Sequence, residues 1–390
     1  MIARRMPVQP SVLTWARESA NIDLEEAAHR IGISAAYLKR WEVGDLDPTI
    51  NQLRKAADVY TRPLSTFFLN EPVADERRFE LPDFRRPGIE GKESPALRKA
   101  ILRAKRQRDA IQEVSEEGAE LPHRESNSLV ISRTDTPSES GKKLRAALKL
   151  DPLPERIFGR PDELFRNLVH RVEQMGYLVI QVQRVAIDEM RGFSLSGGPM
   201  PVIAINGADW PRGKIFTLLH ELVHVAMRNS GLCDLSRAST QPEERYCDEV
   251  AAAALMPKHL FKAQVAGIDT TSYASLRGVG DQFGTSAESV LIRLIHLDLA
   301  TWNDYNSMKA SFREAYTKHK QVEKDLQGDT DAPIYYQLKV RDLGRPFITT
   351  VLRAHDDGFL SSRDVTHLLE VSYDKLPKLA ARLGGGVPTR

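Results

Sequence analysis

The stretch FTLLHELVHVAM, Phe216 to Met227, limits what this chain can fold into more than any other. Eight of its twelve residues are apolar, and a helix built from it is greasy in nearly every direction, as for a helix enclosed by the fold. Its middle nevertheless holds two histidines and a glutamate. Burying such groups without partners costs several kcal/mol, so the fold has to compensate them. On a helix, residues i and i+4 share a face one turn apart. His220 and His224 can therefore offer two imidazole nitrogens to one ion. Glu221, about 100° further round, cannot join them as a ligand, but it can reach a water held on that ion. This is the geometry in which HExxH supplies two zinc ligands and a general base.

Catalytic zinc accepts a carboxylate as its third protein ligand. The segment ERYCDEVAAAALMP offers Glu244 and Asp248, again i and i+4, on the polar side of an otherwise apolar helix. If that helix packs against the first, Glu244 completes the set. Asp248, one turn on, can then hold the other N–H of a ligand histidine. Cys247 lies about 60° off that face; a thiolate ligand is conceivable there, but a buried structural thiol is favoured. Tyr246 and His259 are candidates for stabilising an oxyanion by sequence proximity alone.

Elsewhere the text punctuates itself. From Ser11 to about Leu69 it reads as short helices: Asp23 and Glu26 form a capping box, Gly32 ends one helix, Ser34 caps the next and Gly44 stops it. Ser94-Pro95 opens a long helix to about Glu117 with Leu97, Ile101, Ala104, Ile111 and Val114 on its apolar stripe. Residues 118–139 read as a linker. Helices are expected near 142–150 and 161–175, a strand at YLVIQVQRV, and a hairpin from FSLS through Gly197-Gly198 to PVIAIN. The metal helix begins near Arg212, a second runs from Pro242 to Leu255, and Ser286 caps a third. IYYQLKV, near 334, reads as a strand. Two cysteines exclude a disulfide framework. No apolar run approaches a membrane span and no secretory signal precedes the first helix, so a cytoplasmic location is expected. A net charge of +2 sets up no basic field of its own.

INGADWPRGKIFTLLHELVHVAM followed by ExxCDxVAAAALMP resembles the ImmA/IrrE family of zinc metallo-endopeptidases. RGFSLSGGPMPVIAIN is similar to that family's strand pair, and GTSAESVLIRL to a helical motif often found after its zinc helices. The resemblance covers roughly 140–300. It implies Zn2+ as cofactor, His220, His224 and Glu244 as ligands, and Glu221 as catalytic acid/base. Cys247 and Val250 stand where the family usually has alanine and phenylalanine.

LTWARESANIDLEEAAHRIGISAAYLKRWEVGDLDPTINQLRKAADVY resembles a Cro/cI-type helix-turn-helix. In that fold Ala35, Ala36, Lys39 and Arg40 lie nearest bases and phosphates. Residues 1–70 carry nine Lys/Arg against eight Asp/Glu, so a basic face has to come from arrangement alone. The phrase LPDFRR resembles the connector of proteins that join such a domain to such a peptidase. The run of Arg and Lys on the long helix after it reads as a solvated face, with a phosphate-tracking arm as the alternative. The C-terminal part resembles a small domain that often closes such chains.

The expected class is α+β, mostly helical. A five-helix helix-turn-helix bundle (1–70) and a connector with a long basic helix (71–139) precede a zincin-like domain with a small sheet (140–300) and a small C-terminal domain (301–390). The resemblance implies a peptidase, active or latent, that cuts a partner repressor or antitoxin in a mobile-element, stress or toxin–antitoxin setting. It binds DNA through the N-terminal domain, needs no membrane, and admits a homodimer. The alternative is a DNA-binding regulator or antitoxin that holds a toxin and uses its metal structurally or as a sensor.

Overall fold

A computed structural model of the chain describes residues 5–20, 22–60, 62, 64–72, 93–122, 129–151, 155–228, 231–233, 242–326 and 334–383. These fall into two compact units. One is drawn from Met1–Glu80 with Glu90–Arg103, and the other from Leu81–Ile89 with Ala104–Arg390.

The first unit holds α1 (Pro10–Ser19), α2 (Leu24–Ile31), α3 (Ala35–Glu42), α4 (Ile50–Tyr60) and a 3-10 turn at Leu64–Phe68. Asp23 caps α2 by accepting the Glu26 N–H, and Ser34 caps α3 by accepting that of Tyr37. Between them Gly32 takes φ +83°, a left-handed conformation that a side chain would strain. Leu13, Ile31, Leu38, Trp41, Leu53, Tyr60 and Phe67 form its core. The Trp-Glu pair leaving α3 has a clear basis. Trp41 is buried, while the buried Glu42 accepts from Arg17 of α1, with Nε to Oε1 at 2.6 Å. The long helix α5 (Pro95–Glu116) starts with Ser94 accepting the Leu97 N–H, and its expected apolar stripe is buried throughout.

The second unit opens with α6 (Pro137–Ala147), α7 (Glu155–Phe158) and α8 (Pro161–Gln174), then β1 (Leu178–Val182), β2 (Gly192–Leu195) and β3 (Val202–Asn206). Next come α9 (Pro211–Ala226), β4 (Gly231–Cys233), α10 (Pro242–Leu255), α11 (Lys258–Gln264), α12 (Tyr273–Phe283) and α13 (Ala287–His296). The chain continues through α14 (Trp302–Leu326), α15 (Ile334–Leu343), α16 (Arg345–Asp356), α17 (Ser362–Leu369) and α18 (Leu376–Ala381). The sheet order is β1-β3-β2-β4. β3 runs parallel to β1, with Leu178 opposite Val202, and antiparallel to β2, with Gly192 opposite Ile205. All residues of β3 are buried, and α9 packs on β2 and β3.

Two sequence expectations are corrected. The helix expected near 142 begins at Pro137, because Thr136 and Glu139 form a capping box, so the linker is shorter than expected. The strand-like IYYQLKV is helix α15. A short run of β-branched and aromatic residues carries no decisive period, and packing on β1 decides the matter. Gln107 Nε2 donates to the carbonyl of Leu343 at its end. In the second unit α15 and α16 both pack on β1, and the turn at Gly344 lies against Leu178 and Val179. LPDFRR, at 81–86, falls outside the described residues.

Candidate metal centre

Helix α9 is apolar all round because the sheet covers one side of it and α8 and α10 cover others. Trp210 precedes its first residue, Pro211, whose fixed φ suits a helix start. Asp209 is buried, accepting from Arg191 (2.9 Å) and from the Trp210 N–H. Asn206 ends β3 by donating to the carbonyls of Val185 and Met190 and accepting from Ala208. Arg212 donates to the carbonyls of Gly280 and Thr285 and pairs with Asp281, anchoring the helix to the α12–α13 turn. These contacts fix where α9 begins and so where its histidines lie.

His220, Glu221 and His224 have no solvent exposure and Glu244 has 2%. The side chains of His220, His224 and Glu244 place one ligand atom each within 4.8 Å of the others. His224 Nε2 lies 3.1 Å from His220 Nε2 and 2.9 Å from Glu244 Oε1, and His220 Nε2 lies 3.3 Å from Glu244 Oε2. Asp248 Oδ1 is 2.9 Å from His220 Nδ1. A carboxylate only accepts, so Nδ1 carries the proton toward Asp248, and the ring's Nε2 faces His224 and Glu244. Burial alone would raise the Glu244 carboxyl, but the two imidazoles outweigh it and hold the group down at about 2. Two nitrogens and a carboxylate converging out of water form a donor set suited to a borderline divalent cation.

Glu221 stands apart from this triangle. The buried Ser194 hydroxyl lies beside its carboxylate and draws it down slightly, but neither group, nor the buried Thr217 hydroxyl, completes a well-formed hydrogen bond among the described residues. Burial pushes the Glu221 carboxyl above its usual range, against the pull of the two imidazoles. Gly192 of β2 makes room for it. A Cβ there would come within 2.7 Å of Glu221 Oε1 and 2.6 Å of Thr217 Cγ2.

The buried carboxylate and the convergent donors together fit a metal that brings its own polar neighbours. Residues 173–295 match the family model of the IrrE N-terminal-like domain of peptidase family M78, and residues 13–67 match that of a helix-turn-helix. The chain joins a helix-turn-helix to an IrrE-type peptidase domain. No curated protein matches it. The peptidase family implies a metal, and the buried His220, His224 and Glu244 of the IrrE-type domain could hold one.

The oxyanion candidates lie elsewhere. The Tyr246 hydroxyl hydrogen-bonds Ser140 Oγ and the carbonyls of Ser132 and Asp135, and His259 is exposed on α11. Cys247 is buried, and burial pushes its thiol up, which suits a packed rather than a reactive residue. The side chain of Cys233 lies outside the described residues. In the helix-turn-helix, Ala36, Lys39 and Arg40 are exposed along α3 while Ala35 is half-buried. Sequence reasoning missed Gly192, Asp209 and Arg212. A glycine opening a strand was the available signal for the first. The other two act through contacts made only in the folded chain.

No described helix is long and apolar enough to cross a membrane.

Proposed function

We propose that the chain is a zinc-dependent endopeptidase with a DNA-binding head that cuts a partner repressor or antitoxin in the cytoplasm and so controls transcription. Residues 1–70 form the head and 140–300 the peptidase domain. The observation that carries the reading is a convergent His220, His224 and Glu244 beside Glu221, a buried carboxylate left out of that cluster.

In this reading the two imidazoles and Glu244 hold the zinc, and Asp248 orients His220 from behind. Zinc in such a site supplies Lewis-acid chemistry. Glu221 receives the proton of the attacking water at a carboxylate oxygen and returns it to the leaving amide nitrogen. Its burial suits both halves of that task, since a raised carboxyl holds a proton long enough to pass it on. Ala35, Ala36, Lys39 and Arg40 would face the DNA groove and its phosphates. The test is cleavage of the neighbouring gene's product by zinc-loaded protein. Chelator or Glu221→Gln should abolish it, the latter with zinc retained. Equal cleavage by the Gln variant would remove the mechanism.

One observation favours a second reading. The three candidate ligands are buried, with His220 and His224 wholly and Glu244 almost wholly out of solvent, which suits a metal held for stability as well as one that reacts. In the first case the protein binds its operator and a toxin, keeps its metal, and cuts nothing. Operator binding in a gel shift that needs Lys39 and Arg40 but not Glu221, with no product from any partner, would select it.

A further inference from the structure

A cavity of about 1510 Å³ opens in the second unit beside the ligand cluster. Asp248 is part of its wall and also touches His220 Nδ1, and Phe216 lines it one turn before His220 on α9. The cavity therefore comes within one side chain of the candidate metal ligands. Small-molecule sites usually enclose roughly 300–1,000 Å³, so this space suits several residues of a peptide.

Its charge is lopsided. Arg191 and Arg212 line it but are paired with Asp209 and Asp281. Arg245, Arg293, Lys309 and Arg313 also line it. Arg293 is only 7% exposed, and its Nε has no hydrogen-bond partner among the described residues. Of the carboxylates in the wall, Asp248 is engaged by His220 and Glu288 by the Tyr305 hydroxyl. Asp188 is the third. Aromatic rings complete the lining, with Trp210 edge-on to Tyr316 and Trp302 edge-on to Tyr305. The charge of Glu249 acts on Arg293, but its Nε is left without a hydrogen bond among the described residues. The exposed Arg245, Lys309 and Arg313 add further positive charge to the wall, which suits an anion; the rings offer stacking surface to apolar or aromatic side chains.

We propose that this cavity takes an acidic, aromatic-bearing segment of the substrate polypeptide and so selects what the peptidase cuts. The proposal rests on the peptidase reading, so its test measures binding rather than cleavage. The full-length Glu221→Gln protein, loaded with zinc, is titrated against three fluorescein-labelled peptides. One alternates Asp or Glu with Tyr or Phe, one has Asn and Gln in place of the acids, and one has Lys. Anisotropy should show the acidic peptide binding at least about tenfold more tightly than the neutral one, roughly the worth of one well-made charged contact. Raising the salt should erode the preference. Arg293→Gln should cost the acidic peptide about tenfold. The exposed double variant Arg245→Gln with Lys309→Gln, which leaves the core untouched, should cost it severalfold with zinc content unchanged. Equal binding of the three peptides, or an affinity indifferent to these variants, overturns the proposal. So does adenosine monophosphate binding there when the peptides do not, since the cavity would then be a small-molecule site. Tight acidic binding by the Gln variant, when the zinc-loaded parent protein cuts no peptide, would sink the peptidase reading and leave the cavity assignment standing. Cleavage by the parent, with no charge preference in binding, would do the reverse.

Discussion

Glu221 and Gly192 show how one residue's chemistry depends on another's size. The glutamate was legible from HExxH, but the space it occupies was not, because that space belongs to a strand 29 residues earlier in the chain. Gly192→Ala should cost about 1–3 kcal/mol, the usual range for forcing a methyl into a packed site, and should lower peptide cleavage at least about tenfold with zinc retained. A melting curve, an elemental analysis and a rate measurement check this; an unchanged rate would mean that Glu221 can move aside. Glu173 on α8 offers a pH test. Burial raises its carboxyl to about 8 from 4.5, against the opposing charge of Arg345. A carboxyl raised in the folded state contributes stability that is complete below its unfolded value and is lost as pH climbs through the folded one. Glu173→Gln should therefore match the parent near pH 4.5 and exceed it above pH 8. Glu173 keeps some solvent contact, which reduces the expected difference to about 1–2 kcal/mol. Parallel stability profiles across that window would refute the assignment.

Among the elements, α9 and α10 were the most readable because the HExxH and Glu244–Asp248 spacings both follow the helical repeat. The pairing of α6 with α10 was not readable, although it holds Glu244 in place. The alanine run of α10 lets α6 come so close that a Cβ at Gly141 would sit 2.6 Å from Ala253 Cβ and 3.0 Å from its carbonyl carbon. Two effects compete in Gly141→Ala. Helix propensity favours alanine by about 0.8–1.0 kcal/mol, whereas overpacking against backbone costs about 1–3. Backbone cannot swing away as a side chain can, so the clash should win, with a net loss of about 1 kcal/mol or more in denaturant unfolding. A stabilised variant would show that the two helices separate easily. The missed strand-to-helix assignment of α15 belongs to this scale too: its neighbours in space, not its own residues, settle its form.

For the whole molecule, burial of the candidate ligands makes metal and stability one question. Without a cation, His220, Glu221, His224 and Glu244 form a polar cluster sealed from water. A metal held at a thousand times its dissociation constant adds about 4 kcal/mol, which in a domain of this size moves the melting temperature by on the order of 10 °C. Chelation should lower the calorimetric midpoint by that order, and zinc should restore it where magnesium does not. A midpoint indifferent to chelator, in protein that holds no zinc, would remove the metal from the account.

The sequence alone determined that a greasy helix carrying His220, Glu221 and His224 needs compensation, and that Glu244 and Asp248 share one face of a second helix. Those are consequences of a 3.6-residue repeat, which any reader of the chain can apply. Only the tertiary structure decided that these helices meet, that Asp248 reaches His220 from behind, that Gly192 clears the space around Glu221, and that a cationic, aromatic cavity lies alongside. Contacts between residues far apart in the chain are set by how whole surfaces pack, and no local pattern encodes them.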